Sequence, residues 1–174
     1  MCGYGFLAET FPALSIKTKN LKIPEAWIQQ ISKQAEAEYP HECCGLILCE
    51  TKNPQVLTRV VPCRNRQEDY HKQDPAAFPR TAGQAYWVDP QELLSIHKSM
   101  RKTGEQIRVI YHSHMDAGAY FSEEDQRMAL DEGRPVYPGV DYLVMAVKKG
   151  KTHDSKLYCW DASTKQFKGA NLAA

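Results

Sequence analysis

Between Tyr111 and Asp125 the chain reads Tyr-His-Ser-His-Met-Asp-Ala-Gly-Ala-Tyr-Phe-Ser-Glu-Glu-Asp. Four of these residues, His112, His114, Ser122 and Asp125, have metal-site chemistry at informative spacing. The preceding Gln106 to Tyr111 contains Ile107, Val109, Ile110 and Tyr111, which suits a buried strand. Residues i and i+2 of a strand point to one face, so His112 and His114 would present two imidazoles together at its C-terminal end. A short turn through Asp116 to Gly118 follows, and Ser122 opens a helical pattern whose first turn carries Asp125. Two nitrogens and one carboxylate oxygen, with no fourth ligand nearby in the sequence, describe a catalytic zinc site with one position left for water. A structural zinc site would be closed by four protein ligands.

Plainer readings stand beside this one. Ser122-x-x-Asp125 before an apolar run is also a capping-box-like helix start, with Asp in place of Glu or Gln. Taken alone, that reading carries the greater weight. A lone histidine at a strand end is likewise more often a surface or hydrogen-bonded residue than a ligand. Two histidines at i and i+2, followed at fixed distance by Ser and Asp, are hard to explain as packing, and the combination predicts a metal site.

The residues now carry a resemblance. His112-x-His114, seven intervening residues, Ser122, two residues and Asp125 are similar to the signature of the JAMM (MPN+) zinc metallopeptidases. That family also has an upstream glutamate, and Glu42 in Pro40-His41-Glu42-Cys43-Cys44-Gly45-Leu46 sits in a matching context. The resemblance spans roughly Ile23 to Trp160 and looks closest to bacterial peptidases acting on small sulfur-carrier proteins. Met115 departs from the proline that many members have after the second histidine. His41-Glu42 is not the start of an HExxH zincin motif, because position 45 is glycine.

Zinc held by His112, His114 and Asp125 would lower the pKa of a bound water from 15.7 toward roughly 7 and polarise a carbonyl. The resemblance implies that Glu42 acts as the base that takes the water's proton and returns it to the leaving amine. Read alone, a glutamate before a buried strand is a solvated edge residue. Ser122 would donate to the developing oxyanion, stabilising the transition state over the ground state. The implied substrate is a peptide or isopeptide bond just after the C-terminal glycine of a ubiquitin-like or sulfur-carrier protein, with cysteine a candidate released residue. Such a tail could add as a strand to a sheet edge, for which Ala85 to Asp89 is the candidate.

Three rival classes remain. A metal-free binding scaffold of the same fold is opposed by the intact set of five site residues. A DNA-repair-associated protein of the RadC type shares the His-x-His and Ser-x-x-Asp pattern, but the charge and the Glu-Cys-Cys-Gly context disfavour it. A nucleotide deaminase would need Pro-Cys-x-x-Cys, which this chain lacks.

The elements that must position these groups are legible in outline. A chain of 174 residues is long enough for one domain with a proper core. Its 22 Lys and Arg against 21 Asp and Glu give no electrostatic case for nucleic acid or a membrane surface as partner. No apolar run approaches the ~20 residues needed to cross a bilayer. Met1 to Lys19 does not read as a secretory signal, so the expected location is cytoplasmic. The six scattered cysteines lack a CxxC pair, which argues against a disulfide framework or a Cys-rich zinc site, and Cys43, Cys44, Cys49 and Cys159, in strand-like apolar stretches, read as buried reduced packing residues rather than a nucleophile.

Residues 1–20 are expected to form an arm, and 21–174 a single JAMM-type domain. The predicted class is α/β, a mixed curved sheet flanked by helices. A helix is expected over Pro24 to Glu38, and strands over Cys43 to Cys49 and Gln55 to Pro62. A polar loop from Arg64 to Gln84 could border the active site as a flap. A short strand over Ala85 to Val88 precedes a helix capped at Asp89-Pro90 and stopped near Gly104. The helix begun at Ser122 should continue over Gln126 to Asp131 and stop at Gly133, and strands at Asp141 to Val147 and Lys156 to Trp160 should close the sheet.

Overall fold

The computed structural model describes residues 21–170, so the arm expected over 1–20 lies outside the described residues, as does the end of the 21–174 domain. The chain runs through α1 (Glu25–Glu38), β1 (Cys44–Glu50), β2 (Leu57–Cys63), α2 (Gln67–Gln73), α3 (Pro90–Thr103) and β3 (Glu105–Met115). It continues through α4 (Glu123–Ala129), β4 (Leu130–Asp131), β5 (Arg134–Pro135), β6 (Asp141–Lys148), β7 (Lys151–Asp161) and β8 (Gln166–Ala170). Six strands form one sheet in the order β2-β1-β3-β6-β7-β8. Only the β3–β6 pair is parallel, because the chain crosses over through α4 between them. The mixed α/β class expected from the sequence is the class observed.

The two faces of the sheet are covered by different helices. On one face Ile31 and Ala35 of α1 pack against Ile47, Val109, Leu143 and Met145. Trp27, Ile28, Ile31 and Ala35 recur at helical spacing, which gives α1 one apolar stripe. Complete burial of a side chain such as Ile31 contributes about 1.5–3 kcal/mol. On the other face Met100 of α3 and Ala129 of α4 pack against Leu46, Ile110, Tyr142 and Val144. The central strands lie between both layers and are therefore apolar on both faces, as β1 and β6 are along nearly their whole length.

The ends of α3 follow the sequence closely. Asp89 accepts from the N–H groups of Gln91 and Glu92, Pro90 opens the helix, and Gly104 closes it in the left-handed conformation at φ 70°.

Four expectations need correction. The Arg64–Gln84 stretch is not all loop: it contains α2 and an aromatic cluster of Tyr70 and Phe78 with Trp87. Ala85 to Val88 is not a strand, and only Val88 forms an isolated antiparallel bridge, with Asn65. Helix α4 ends at Ala129 rather than Asp131, and the chain turns back through the β4–β5 hairpin, where Gly133 takes φ 74°. The last strand pair is longer than expected and β8 joins it, its Phe167 packing on Trp160 and Tyr142.

Candidate metal centre and active-site cleft

Strand β3 is the frame of the site. It pairs β1 with Cys44 opposite His112, and β6 with His112 beside Val144 and His114 beside Ala146. His112 and His114 share the face that carries Ile110, looking toward α3 and α4. The β1–β3 pairing continues past the strand end: Ser113 N–H donates to Cys43 O at 3.2 Å, and Cys43 N–H to Ser113 Oγ at 2.8 Å. Carried one residue further, this register sets Glu42 opposite His114 on the same face.

After β3 the chain turns at Asp116, a left-handed residue at φ 53°. Its carboxylate accepts from Lys149 N–H and Tyr39 O–H, each at 2.9 Å. That anchor places Gly118, whose carbonyl lies 3.2 Å from His114 Nδ1. A carbonyl only accepts, so Nδ1 carries a proton, and it is Nε2 that faces the centre and offers its lone pair whenever the ring is neutral.

Asp125 arrives from α4. The capping box is present: Asp125 N–H donates to Ser122 Oγ at 3.1 Å, and Ser122 N–H donates to Asp125 Oδ2 at 2.7 Å. Ser122 O–H also donates to Oδ2 at 2.7 Å. The capping reading and the site reading of Ser122-x-x-Asp125 are therefore compatible, since the cap aims the carboxylate.

The three groups converge. His112 Nε2 is 3.2 Å from His114 Nε2 and 3.0 Å from Asp125 Oδ1, and His114 Nε2 is 3.3 Å from Asp125 Oδ2. Bonds of about 2.0–2.1 Å to a tetrahedral zinc place its ligand atoms about 3.3 Å apart. The 3.2 Å between the two Nε2 atoms fits that spacing, and the Asp125 carboxylate sets one oxygen beside each imidazole. All three residues are buried, and among the described residues no fourth side chain joins the group.

Burial and charge act in opposite directions on these carboxylates. Glu42 is only 5% exposed, and burial pushes its pKa up to about 8; His114 and Arg80 pull it back, while Asp125 adds to the rise. A solvated edge residue it is not. Burial also opposes ionisation of Asp125, yet the imidazoles and the Ser122 hydroxyl outweigh it and hold that carboxyl below its usual range. For His114 burial disfavours the charged form, but Asp125 and Glu42 prevail and its pKa is raised.

Glu42, His114, Ser122 and Asp125 line one cleft of about 830 Å³, whose outer wall includes Phe78 and Arg80 of the 64–84 stretch. That stretch does border the site. Asn65 is the residue that ties it together, and no sequence signal marked it. Its Nδ2 donates to the carbonyls of Glu42 (2.9 Å) and Ala85 (3.2 Å), and its Oδ1 accepts from Gln67 and Trp87 N–H (2.9 and 3.0 Å). Tyr86 was also missed; its ring stacks on His112 at 4.6 Å between centroids. Further along, Arg66 N–H donates to Trp87 O and Asp89 N–H to Arg64 O. Tyr86 and Val88 form no backbone–backbone hydrogen bond among the described residues, and Ala85, Tyr86 and Trp87 line the cleft.

A mixed sheet with helices on both faces and a His-His-Asp centre at the end of its middle strand defines a JAB-type domain. Residues 24–159 match the family of prokaryotic homologs of the JAB domain, and the chain belongs to that family. A desampylase of Haloferax volcanii is 30% identical over 110 residues, covering 63% of this chain. The match spans 66% of that relative, a little under two thirds of its length. Two solution structures share the fold. One, from Desulfitobacterium hafniense, is 22% identical with a TM-score of 0.57 over 84% of this chain and 86% of its own. The other, from Salinibacter ruber, is 18% identical with a TM-score of 0.58 over 87% and 89%. Among the described residues no helix is long and apolar enough to cross a membrane.

Proposed function

We propose that this protein is a zinc-dependent peptidase or isopeptidase. It hydrolyses the bond after the C-terminal glycine of a small ubiquitin-like or sulfur-carrier protein, with cysteine a candidate released residue. The observation that carries the reading is the convergence of His112 Nε2, His114 Nε2 and the Asp125 carboxylate, beside a cleft lined by His114, Asp125 and the buried Glu42. Family membership and the desampylase relative support it.

In this reading His112, His114 and Asp125 hold one zinc per chain. When bound, the ion supplies Lewis acidity, making water a better nucleophile and the scissile carbonyl more electrophilic. Glu42 takes a proton from the attacking water and delivers it to the leaving amine. Burial raises the Glu42 carboxyl in the metal-free protein, which suits a group that takes a proton and gives it back. Ser122 steadies Asp125 through the contacts described, and its hydroxyl can turn from Asp125 Oδ2 to an oxyanion as charge develops. The extended tail of the carrier would lie along the Ala85 to Asp89 backbone, which borders the cleft through Ala85, Tyr86 and Trp87.

The test is metal content of the purified protein beside His114→Ala, with hydrolysis of a carrier-protein C-terminal conjugate assayed on the same samples. About one zinc per chain, lost in the variant together with cleavage, is the expected result. Zinc absent from a folded wild type that also resists zinc addition would sink the centre and favour the binding scaffold.

A further inference from the structure

Glu42 precedes β1, which begins at Cys44, so the strand ladder does not hold its main chain. Three other contacts do. Glu42 N–H donates to Ala82 O at 2.7 Å, and the Glu42 carbonyl accepts from Asn65 Nδ2 at 2.9 Å. The N–H on the far side of that same peptide plane, that of Cys43, donates to Ser113 Oγ at 2.8 Å. The planar peptides on either side of the Glu42 α-carbon are thus both pinned, and with them the direction in which the side chain leaves the backbone.

Of these partners, Ala82 offers only a main-chain carbonyl, and Ser113 sits between His112 and His114. Asn65 acts through its side chain, whose hydrogen bonds go to main-chain groups rather than to the metal-site side chains. An amide has two donor protons and two acceptor lone pairs. In Asn65 both protons go to carbonyls, of Glu42 and Ala85, and the oxygen accepts two N–H groups, of Gln67 and Trp87. These partners also fix which end of the amide is nitrogen. No other side chain of this size offers that pattern: aspartate would set an oxygen against two carbonyls, and leucine would answer none of the four groups.

The hydrolysis outlined above gives Asn65 no part, yet the amide joins the proposed base to Ala85 and Trp87 of the cleft wall. Without its donor the Glu42 carbonyl loses one of the two bonds that hold its peptide plane, and the plane is free to turn. A misplacement of about 1 Å in a reacting group costs about 10²-fold in rate.

Resting on the hydrolase reading, we propose that Asn65 is a positioning residue for Glu42: by holding the Glu42 carbonyl it keeps the carboxylate on the face shared with His114. It exchanges no proton and holds no metal, so its whole effect on the chemical step passes through Glu42.

The test is a double-mutant cycle between Asn65 and Glu42. The probe is a small ubiquitin-like protein ending in Gly-Gly, joined by an isopeptide bond to a fluorescent lysine peptide and cut by the zinc-loaded protein. In Asn65→Ala and Asn65→Ser, kcat should fall by about tenfold to a hundredfold, with zinc content unchanged. Serine keeps an oxygen that can accept from the N–H two residues on, so it preserves the turn into α2 and carries the test if the alanine variant does not fold. In a Glu42→Gln background no base is left to aim, and the same substitutions should lower the residual rate by less than about threefold. A purely structural role would not produce that difference. Equal losses of kcat in both backgrounds, a loss confined to KM, or loss of zinc would make Asn65 a support of the cleft or of the metal centre and overturn the proposal, leaving the hydrolase reading intact. A zinc-loaded wild type that does not cut the probe would bring down the hydrolase reading, and this inference with it.

Discussion

Near the start of β3, Arg108 lies 2.8 Å from Asp141, and both are essentially inaccessible, at 0% and 1% exposure. Near its end, His112 and His114 meet Asp125 within hydrogen-bonding distance, and all three are also buried. Burial does not distinguish the two clusters, but charge does. Arg108 and Asp141 are a cation and an anion that neutralise each other, and Arg108 Nη1 donates to Gly139 O at 3.1 Å. The second cluster gathers three groups able to offer lone pairs, with a fourth group, the carboxylate of Glu42, beside them in the cleft. Such a set does not neutralise itself, and it opens on solvent through the cleft. A buried cluster of acceptors facing an opening is a site for something else; a buried ion pair is part of the scaffold.

The sharpest way to break that contrast is to alter Glu42. Glu42→Gln should lower hydrolysis by about 10²–10⁴-fold, the range for loss of a general base, while zinc content stays near that of wild type. The metal-free protein should respond in the opposite sense. With a folded pKa of about 8 against an ordinary 4.5, folded Glu42 holds a proton that the unfolded chain has released between those values. Stability is then complete below pH 4.5 and declines as the pH rises toward 8. Glutamine has no proton to lose, so metal-free Glu42→Gln should gain about 2–4 kcal/mol over wild type at about pH 8, and nothing at low pH. Urea titrations at both pH values would measure this, and a variant less stable than wild type at the higher pH would contradict it.

At the other end of β3 the same kind of substitution should act on stability alone. Arg108→Leu strands the buried Asp141, whose pKa burial already pushes up to about 6 against the pull of Arg108. The cost should be about 3–5 kcal/mol. Adding Asp141→Leu removes the orphaned charge and should restore stability to within about 1–2 kcal/mol of wild type. Zinc bound per folded chain should not change in either variant. A single substitution that costs nothing, or a double one worse than the single, would mean that the pair is not what holds this end together.

How much of this was legible depended on how local the signal was. The β3–α4 site could be read because a strand's period of two and one helix start set His112, His114, Ser122 and Asp125 in a short span. The α3 cap was equally plain, since Asp89, Pro90 and Gly104 each act within a few residues. Glu42 was found through the family resemblance, because its closeness to His114 depends on strand register across seventy residues of chain. The flap was read as a loop because its order comes from scattered partners. Asn65 bridges four backbone groups, and Tyr70, Phe78 and Trp87 stack without any periodic spacing. The early end of α4 was missed for a similar reason: Leu130 pairs with Pro135 across a hairpin that no helical pattern announces.

Ser122 offers the finest division, since it belongs to both the scaffold and the site. Its backbone and side chain hold Asp125 Oδ2, and its Oγ caps a helix of only seven residues. Loss of the cap in Ser122→Ala should cost about 1 kcal/mol of stability. The two roles proposed for the hydroxyl then separate by measurement. If it only steadies Asp125, zinc affinity and kcat should fall together, and excess zinc should restore most of the rate. If it also donates to the oxyanion, kcat should stay about 10²–10³-fold down at saturating zinc, with KM little changed. The second outcome is expected. The Ser122 N–H bond to Oδ2 survives the substitution and continues to aim the carboxylate, so the methyl group removes chiefly the proton that the transition state needs.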